Sequence, residues 1–130
     1  MHALDYPSRQ LVPDPQELGT LKLKSLGRIM EAIAQYKEAL RLNPDSVKAH
    51  NNLGNALNLL GRTPEAIVQY EEALRLSPHD ATIHYNLAGA LLKTPGRANE
   101  AVAHLKEVVR LQPDNKMARQ ILARINAIQE

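Results

Sequence analysis

Cysteine, tryptophan and phenylalanine are absent from the 130 residues, and four tyrosines are the only large aromatic side chains. The first absence excludes disulfides, thiolate metal sites and cysteine nucleophiles. The other two leave the packing to Leu, Ile, Val and many alanines, which suits helices that approach one another closely. An excess of charge is missing too: 16 basic and 14 acidic residues interleave to a net +2, without the stripe or tail that would mark a nucleic-acid partner. No run reaches the ~18 apolar residues of a membrane span, and the first 15 residues lack the basic start and apolar stretch of a secretory signal. A soluble, cytoplasmic protein without membrane insertion is the expectation. No Gly-rich phosphate loop, nucleophile elbow or metal-ligand spacing occurs, so neither catalysis nor a cofactor nor a metal is expected.

What the chain does contain is itself, more than once. Ala66–Pro78 restates Ala32–Pro44 thirty-four residues later, and a looser copy runs from Ala101 to Pro113, thirty-five residues further on. A period in this range means stacked supersecondary units, none able to bury its apolar face alone. In the middle unit Ala49, Leu53, Ala56, Leu57 and Leu60 fall on one helical face, and Gly61 follows where a helix should stop. Thr63 offers an N-cap oxygen, Pro64 suits a first helical turn, and Ala66, Ile67, Tyr70, Ala73 and Leu74 form the buried stripe of a second helix that ends before Pro78. Asp45, Asp80 and Asp114 each follow a unit-closing proline and are read as caps of the next helix.

The reading is therefore an all-α solenoid of antiparallel helix pairs. Its boundaries are an N-terminal arm or worn remnant of a preceding repeat at 1–14, a degenerate first repeat at 15–46, a second at 47–80, a third at 81–115 and a capping helix at 116–130. In the first repeat the leading helix is short, and Gly27 marks the turn to a second helix over Ile29–Leu42. The capping helix is expected to turn Met117, Ile121, Leu122, Ile125 and Ile128 inward and Arg119, Gln120, Arg124 and Gln129 outward.

Leu53-Gly54, Leu57, Gly61, Ala66, Tyr70, Ala73 and Pro78 match the signature positions of the tetratricopeptide repeat. Leu18-Gly19, Gly27, Ala32, Tyr36, Ala39 and Pro44 match them in the first unit, and Leu87, Ala88, Leu91, Gly96, Ala101 and Pro113 in the last. The chain resembles that family over about residues 13–115. His50 and His84 stand where the family places an aromatic. The resemblance implies a right-handed superhelix whose leading helices line a concave face that holds peptides or proteins, with no catalytic activity. Its chaperone-binding subfamilies grip a terminal carboxylate with Lys, Arg and Asn. Asn52 matches one of those positions, but Gln16, Thr20, Thr82 and Asn86 occupy the others, so that clamp is not expected.

On the middle leading helix the stripe opposite the apolar face is Lys48, Asn51, Asn52, Asn55 and Asn58. Asn is a poor helix former, so four on one short helix ask for a reason beyond propensity. A side-chain amide sets donor and acceptor side by side, matching a peptide backbone. Asn86 repeats Asn52 one unit on, and the pair resembles the asparagine ladder of O-linked N-acetylglucosamine transferases. The alternative is that these amides bond to neighbouring helices and fix the stacking. Tyr85 with Leu59 and Leu92 adds an apolar platform, and Lys24, Lys48 and Lys93 add mild positive charge. The candidate groove is Lys48, Asn51, Asn52, Asn55, Asn58, Tyr85, Asn86 and Lys93, fitted to an extended peptide with apolar anchors and some acidic character.

Other features have plainer explanations. His50 and His84 read as packing histidines, with His79 and His104 isolated on loop or polar positions. Glu38, Glu72 and Glu107 recur on a solvated face, as do Arg28, Arg62 and Arg97 after each turn glycine. A peptide-binding scaffold is the functional expectation. A self-assembling or spacer module, part of a larger repeat protein, is the alternative, because Leu18, Leu21 and Met30 are left open at the N-terminal end for a homo-oligomer contact.

Overall fold

The computed structural model describes residues 14–129, and among them every regular element is a helix: α1 (Pro15–Leu42), α2 (Val47–Leu59), α3 (Thr63–Leu76), α4 (Ala81–Leu92), α5 (Ala98–Leu111) and α6 (Lys116–Gln129). The proposed arm or remnant lies outside the described residues except for Asp14, which caps α1 by accepting from the Glu17 amide at 2.7 Å. Each helix packs on the next, with α2–α3 and α4–α5 as the tightest pairs and α2 also touching α4. That connectivity is a solenoid, with α2 and α4 as neighbouring leading helices and α3 and α5 as their returning partners.

The turns within the pairs depend on Gly61 (φ +79°) and Gly96 (φ +82°), left-handed positions that a side chain would strain. The turns between pairs are closed by helix caps at equivalent places. Ser46 accepts from Ala49 N at 3.1 Å, Asp80 from Ile83 N at 3.2 Å and Asn115 from Ala118 N at 3.0 Å. The capping position is thus 46, 80 and 115. Asp80 caps as expected, whereas Asp45 and Asp114 stand one residue too early. Thr63 is likewise already inside α3, and its hydroxyl donates to Asn58 Oδ1 at 3.2 Å instead of capping.

The core runs unbroken from Ile33 to Ala118, with Tyr70, Ile83, Leu87, Leu91, Leu105 and Val108 fully enclosed. Each such side chain contributes about 1.5–3 kcal/mol relative to exposure. The family-signature alanines Ala66, Ala73 and Ala101 have no exposed surface, so helix axes come together where larger residues would separate them. In α6 the deepest residue is Ala118, with Ile121, Leu122 and Ile125 half-buried. Met117 and Ile128, expected inward, are exposed because the helix turns its 118–121–125 edge onto α5.

The first unit departs from expectation. Residues 15–42 form one 28-residue helix with no turn at Gly27, so the short leading helix and its partner are fused. The physical difference lies after the glycine. Gly61 and Gly96 have a proline nearby, Pro64 and Pro95, whereas Gly27 is followed by Arg28, Ile29 and Met30, all of which continue a helix.

Candidate functional site

Helices α2 and α4 lie side by side, and their outward stripes form one surface. Asn51, Asn52, Asn55 and Asn58 on α2 are half-buried, Lys48 is exposed, and Tyr85 and Asn86 on α4 are half-buried with Lys93 exposed at its end. Asn86 Nδ2 donates to Asn51 Oδ1 at 3.1 Å across the two helices, and Lys93 Nζ donates to Asn58 Oδ1 at 3.2 Å over the same gap. Asn55 Oδ1 accepts from the Tyr70 hydroxyl at 2.6 Å. Asn52 takes no part in these bonds.

Between the two stripes runs a trough of about 420 Å³ lined by Asn55, Asn58, Leu59, Tyr70, Tyr85, Asn86 and Gly89. Its floor is open because Gly89 sits in the row where α2 carries Asn55, and a Cβ there would meet nothing within 4 Å. Leu59 is exposed at 73%, an apolar side chain at the rim. Tyr85 also borders a second hollow of about 280 Å³ with Thr82, Gln112, Asn115 and Met117, which continues the surface toward α6. Gly89 and the Tyr70 hydroxyl escape a reading of one helix at a time, since each joins the trough only through a neighbouring helix. Lys48, Asn51, Asn52 and Lys93 lie beside the trough and not in its wall.

The amides so placed combine open and occupied valences. Asn51 and Asn86 each spend one bond on the other, which fixes the two leading helices in register. The remaining carbonyl of Asn86 and the amide N–H groups of Asn51, Asn55 and Asn58 keep their capacity for a ligand. Burial pushes the Tyr70 hydroxyl up to about 12, so it is a neutral donor at all ordinary pH values.

The histidines belong to the stacking. His50 Nε2 donates to the Pro44 carbonyl at 2.8 Å while its Nδ1 lies 2.8 Å from the Gln69 side-chain amide. One unit on, His84 Nε2 donates to the Pro78 carbonyl at 2.8 Å and its Nδ1 lies 2.9 Å from His104 Nδ1. His104 is therefore not isolated: it occupies on α5 the place of Gln69 on α3. Since the carbonyl bond puts the His84 proton on Nε2, the proton between the rings is donated by His104. Among the described residues no group of three His, Asp or Glu stands close enough to hold a metal ion, and no helix is long and apolar enough to cross a membrane. Arg62 and Arg97 pair with Glu65 and Glu100 on the first turn of their helices.

Two sequence models described as tetratricopeptide repeat match residues 22–81 and 57–125. The curated proteins give no match. Among solved structures, the first TPR of Spaghetti (RPAP3) bound to HSP90 peptide SRMEEVD superposes with a TM-score of 0.75 at 22% identity, over 87% of this chain and 88% of that one. The Arabidopsis OM64 TPR domain gives 0.71 at 23% identity over 83% and 88%. An O-GlcNAc transferase of Thermobaculum terrenum gives 0.67 at 25% identity over 78% of this chain and 19% of the transferase. With its paired helices, left-handed turn glycines, interlocked alanines and the matched span of 57–125, this chain belongs to the tetratricopeptide repeat family.

Proposed function

We propose that the chain is a non-catalytic scaffold that holds an extended peptide or protein segment along the surface formed by α2 and α4. The observation that carries this reading is the trough between Asn55, Asn58, Tyr85 and Asn86, where amides with unspent hydrogen-bonding capacity face an apolar rim. Amides spaced along neighbouring leading helices suit a peptide backbone, while Leu59 and Tyr85 accept an apolar side chain. Lys48 and Lys93, both exposed, favour acidic residues in the ligand. The peptide carried by the structurally similar Spaghetti domain supports a peptide as the ligand class. The positions that would clamp a terminal carboxylate hold Gln16, Thr20, Thr82 and Asn86, so an internal extended segment fits better than a chain terminus.

The test is fluorescence anisotropy against a set of labelled extended peptides, before and after the double change Asn52→Ala with Asn86→Ala. Loss of the Asn86 carbonyl from the trough wall and of the Asn52 amide from the stripe beside it is expected to weaken binding about tenfold or more. Unchanged affinity with an unchanged circular dichroism spectrum overturns the amide-ladder reading.

A further inference from the structure

The fused helix α1 carries both halves of a helix pair that the described residues leave unclosed. Ala32, Tyr36 and Ala39 repeat Ala66, Tyr70 and Ala73, whose exposures are 0%, 1% and 0% because α2 covers them. On α1 the same alanine at 39 is exposed, and Ala32 and Tyr36 are only half-buried. In the other half of the helix Leu18 and Leu21 are 42% and 51% exposed. At 100° per residue, Leu18, Leu21, Ser25, Ala32, Tyr36 and Ala39 fall on one continuous stripe. It lies beside the stripe of Ile29, Ile33 and Leu40 that packs into the core with α2.

That stripe is complementary to itself when reversed. In an antiparallel pair centred between Arg28 and Ile29, Leu18 of one helix meets the small Ala39 of the other, Leu21 meets the flat Tyr36 ring, and Ser25 meets Ala32, a small pair that lets the axes approach. Within α2–α3 an antiparallel pair is already realised about a centre at Arg62, thirty-four residues beyond Arg28, although there it is Gly54, the counterpart of Thr20, that faces the Tyr70 ring. On the flank of the stripe Lys24 and Arg28 come opposite Glu31 of the reversed helix, so the charges also agree. Two 28-residue helices paired along about 40 Å bury on the order of 1,200 Å², the lower end of what a specific association needs.

We propose that this face of α1 is a self-association surface, on which a second copy of the chain lays its own α1 antiparallel. Residues 15–26 of each copy supply the leading helix that residues 29–42 of the other lack. The contact is isologous and closes at two copies, and it comes up to the rim of the trough, since Leu59 lines both the trough and the hollow beside Leu18, Leu21 and Ser25.

Because the chain has no cysteine, the test uses the double variant Leu18→Cys with Ala39→Cys and a short bismaleimide reagent. Along one straight helix the two positions are about 31 Å apart, beyond the reagent's reach. Linking between copies, giving a covalent dimer on a denaturing gel at low protein concentration, is the expected result. A link within one chain means that α1 folds back at Gly27 on itself, and no link means that the face is bare or covered by residues 1–13. Either outcome overturns the proposal. Sedimentation equilibrium of the unmodified chain is expected to show a monomer–dimer equilibrium that Leu21→Glu, a change at an already exposed position, weakens about a hundredfold. A monomer at every concentration, or a dimer indifferent to Leu21→Glu, also overturns it.

Discussion

Gly54 and Tyr70 meet so closely that a Cβ on the glycine would lie 2.6 Å from Cε1 of the ring, while the hydroxyl of that ring donates to Asn55 at 2.6 Å. One absent side chain therefore sets the spacing of α2 and α3, and through the ring it also sets the position of an amide at the trough. Packing and site are joined at this contact.

Replacing Gly54 by Ala tests that link. Helix propensity alone would favour Ala by about 1 kcal/mol, but the ring is enclosed and cannot retreat, and overpacking of this kind costs about 1–3 kcal/mol. The expected outcome is net destabilisation, seen as a lower midpoint of urea unfolding, together with weaker peptide binding from the displaced Asn55. Gly89→Ala is the control. Its Cβ meets nothing within 4 Å, so the propensity gain stands and the midpoint rises. A rise for both variants would show that the Gly54–Tyr70 approach is not constraining.

Much of this was legible in the sequence because the repeat supplies the same information three times. The period placed Asn51, Asn52, Asn55 and Asn58 on one helix, α2, and Asn86 one unit beyond Asn52 on α4, whereas the bond across the two helices joins Asn86 to Asn51. What escaped depends on partners that the period does not specify. Gly27 occupies a turn position in the motif, yet nothing local halts the helix there, and only a covering partner would favour the turn over the roughly four intrahelical hydrogen bonds that a break forfeits. His104 looked solitary because its partner His84 is reached across a helix pair, not along the chain. Gly89 carries no group to notice, and its role appears only once the row beside it is filled.

The two linked imidazoles make stability depend on pH in a definite direction. Burial, reinforced by His84 and opposed by Glu100, holds His104 below the ordinary value of 6.5. The unfolded chain therefore takes up this proton before the folded one does. Stability from this source is intact above the unfolded value and is lost as pH falls from there through the lower folded value. The urea midpoint is expected to drop as pH falls below about 6.5. His104→Gln, which places on α5 the same side chain that Gln69 places beside His50, should flatten that dependence. His79, 3.9 Å from Glu107, and the Glu107–Arg110 pair are common to both proteins, so the difference between the two profiles reports the His84–His104 contact. Parallel profiles would assign the pH dependence elsewhere.

Met30→Pro asks whether the missing turn of the first unit can be restored. Met30 corresponds to Pro64, which follows Gly61-Arg62-Thr63 and opens α3. Its side chain is 58% exposed, so the change removes little packing and acts on the backbone. Within a continuous helix it deletes the amide that bonds one turn back and clashes with that carbonyl, at a cost of about 3 kcal/mol. A helix broken there recovers part of that cost by folding residues 15–26 onto Ala32, Tyr36 and Ala39, as α2 folds onto α3. The expected result is a small loss of far-ultraviolet ellipticity, with Leu18 and Ala39 brought within crosslinking distance inside one chain. A variant that unfolds the first unit altogether, with hydrogen exchange at residues 29–42 raised to that of free coil, would mean that the stripe on α1 has no affinity for the leading segment and that the repeat motif there is vestigial.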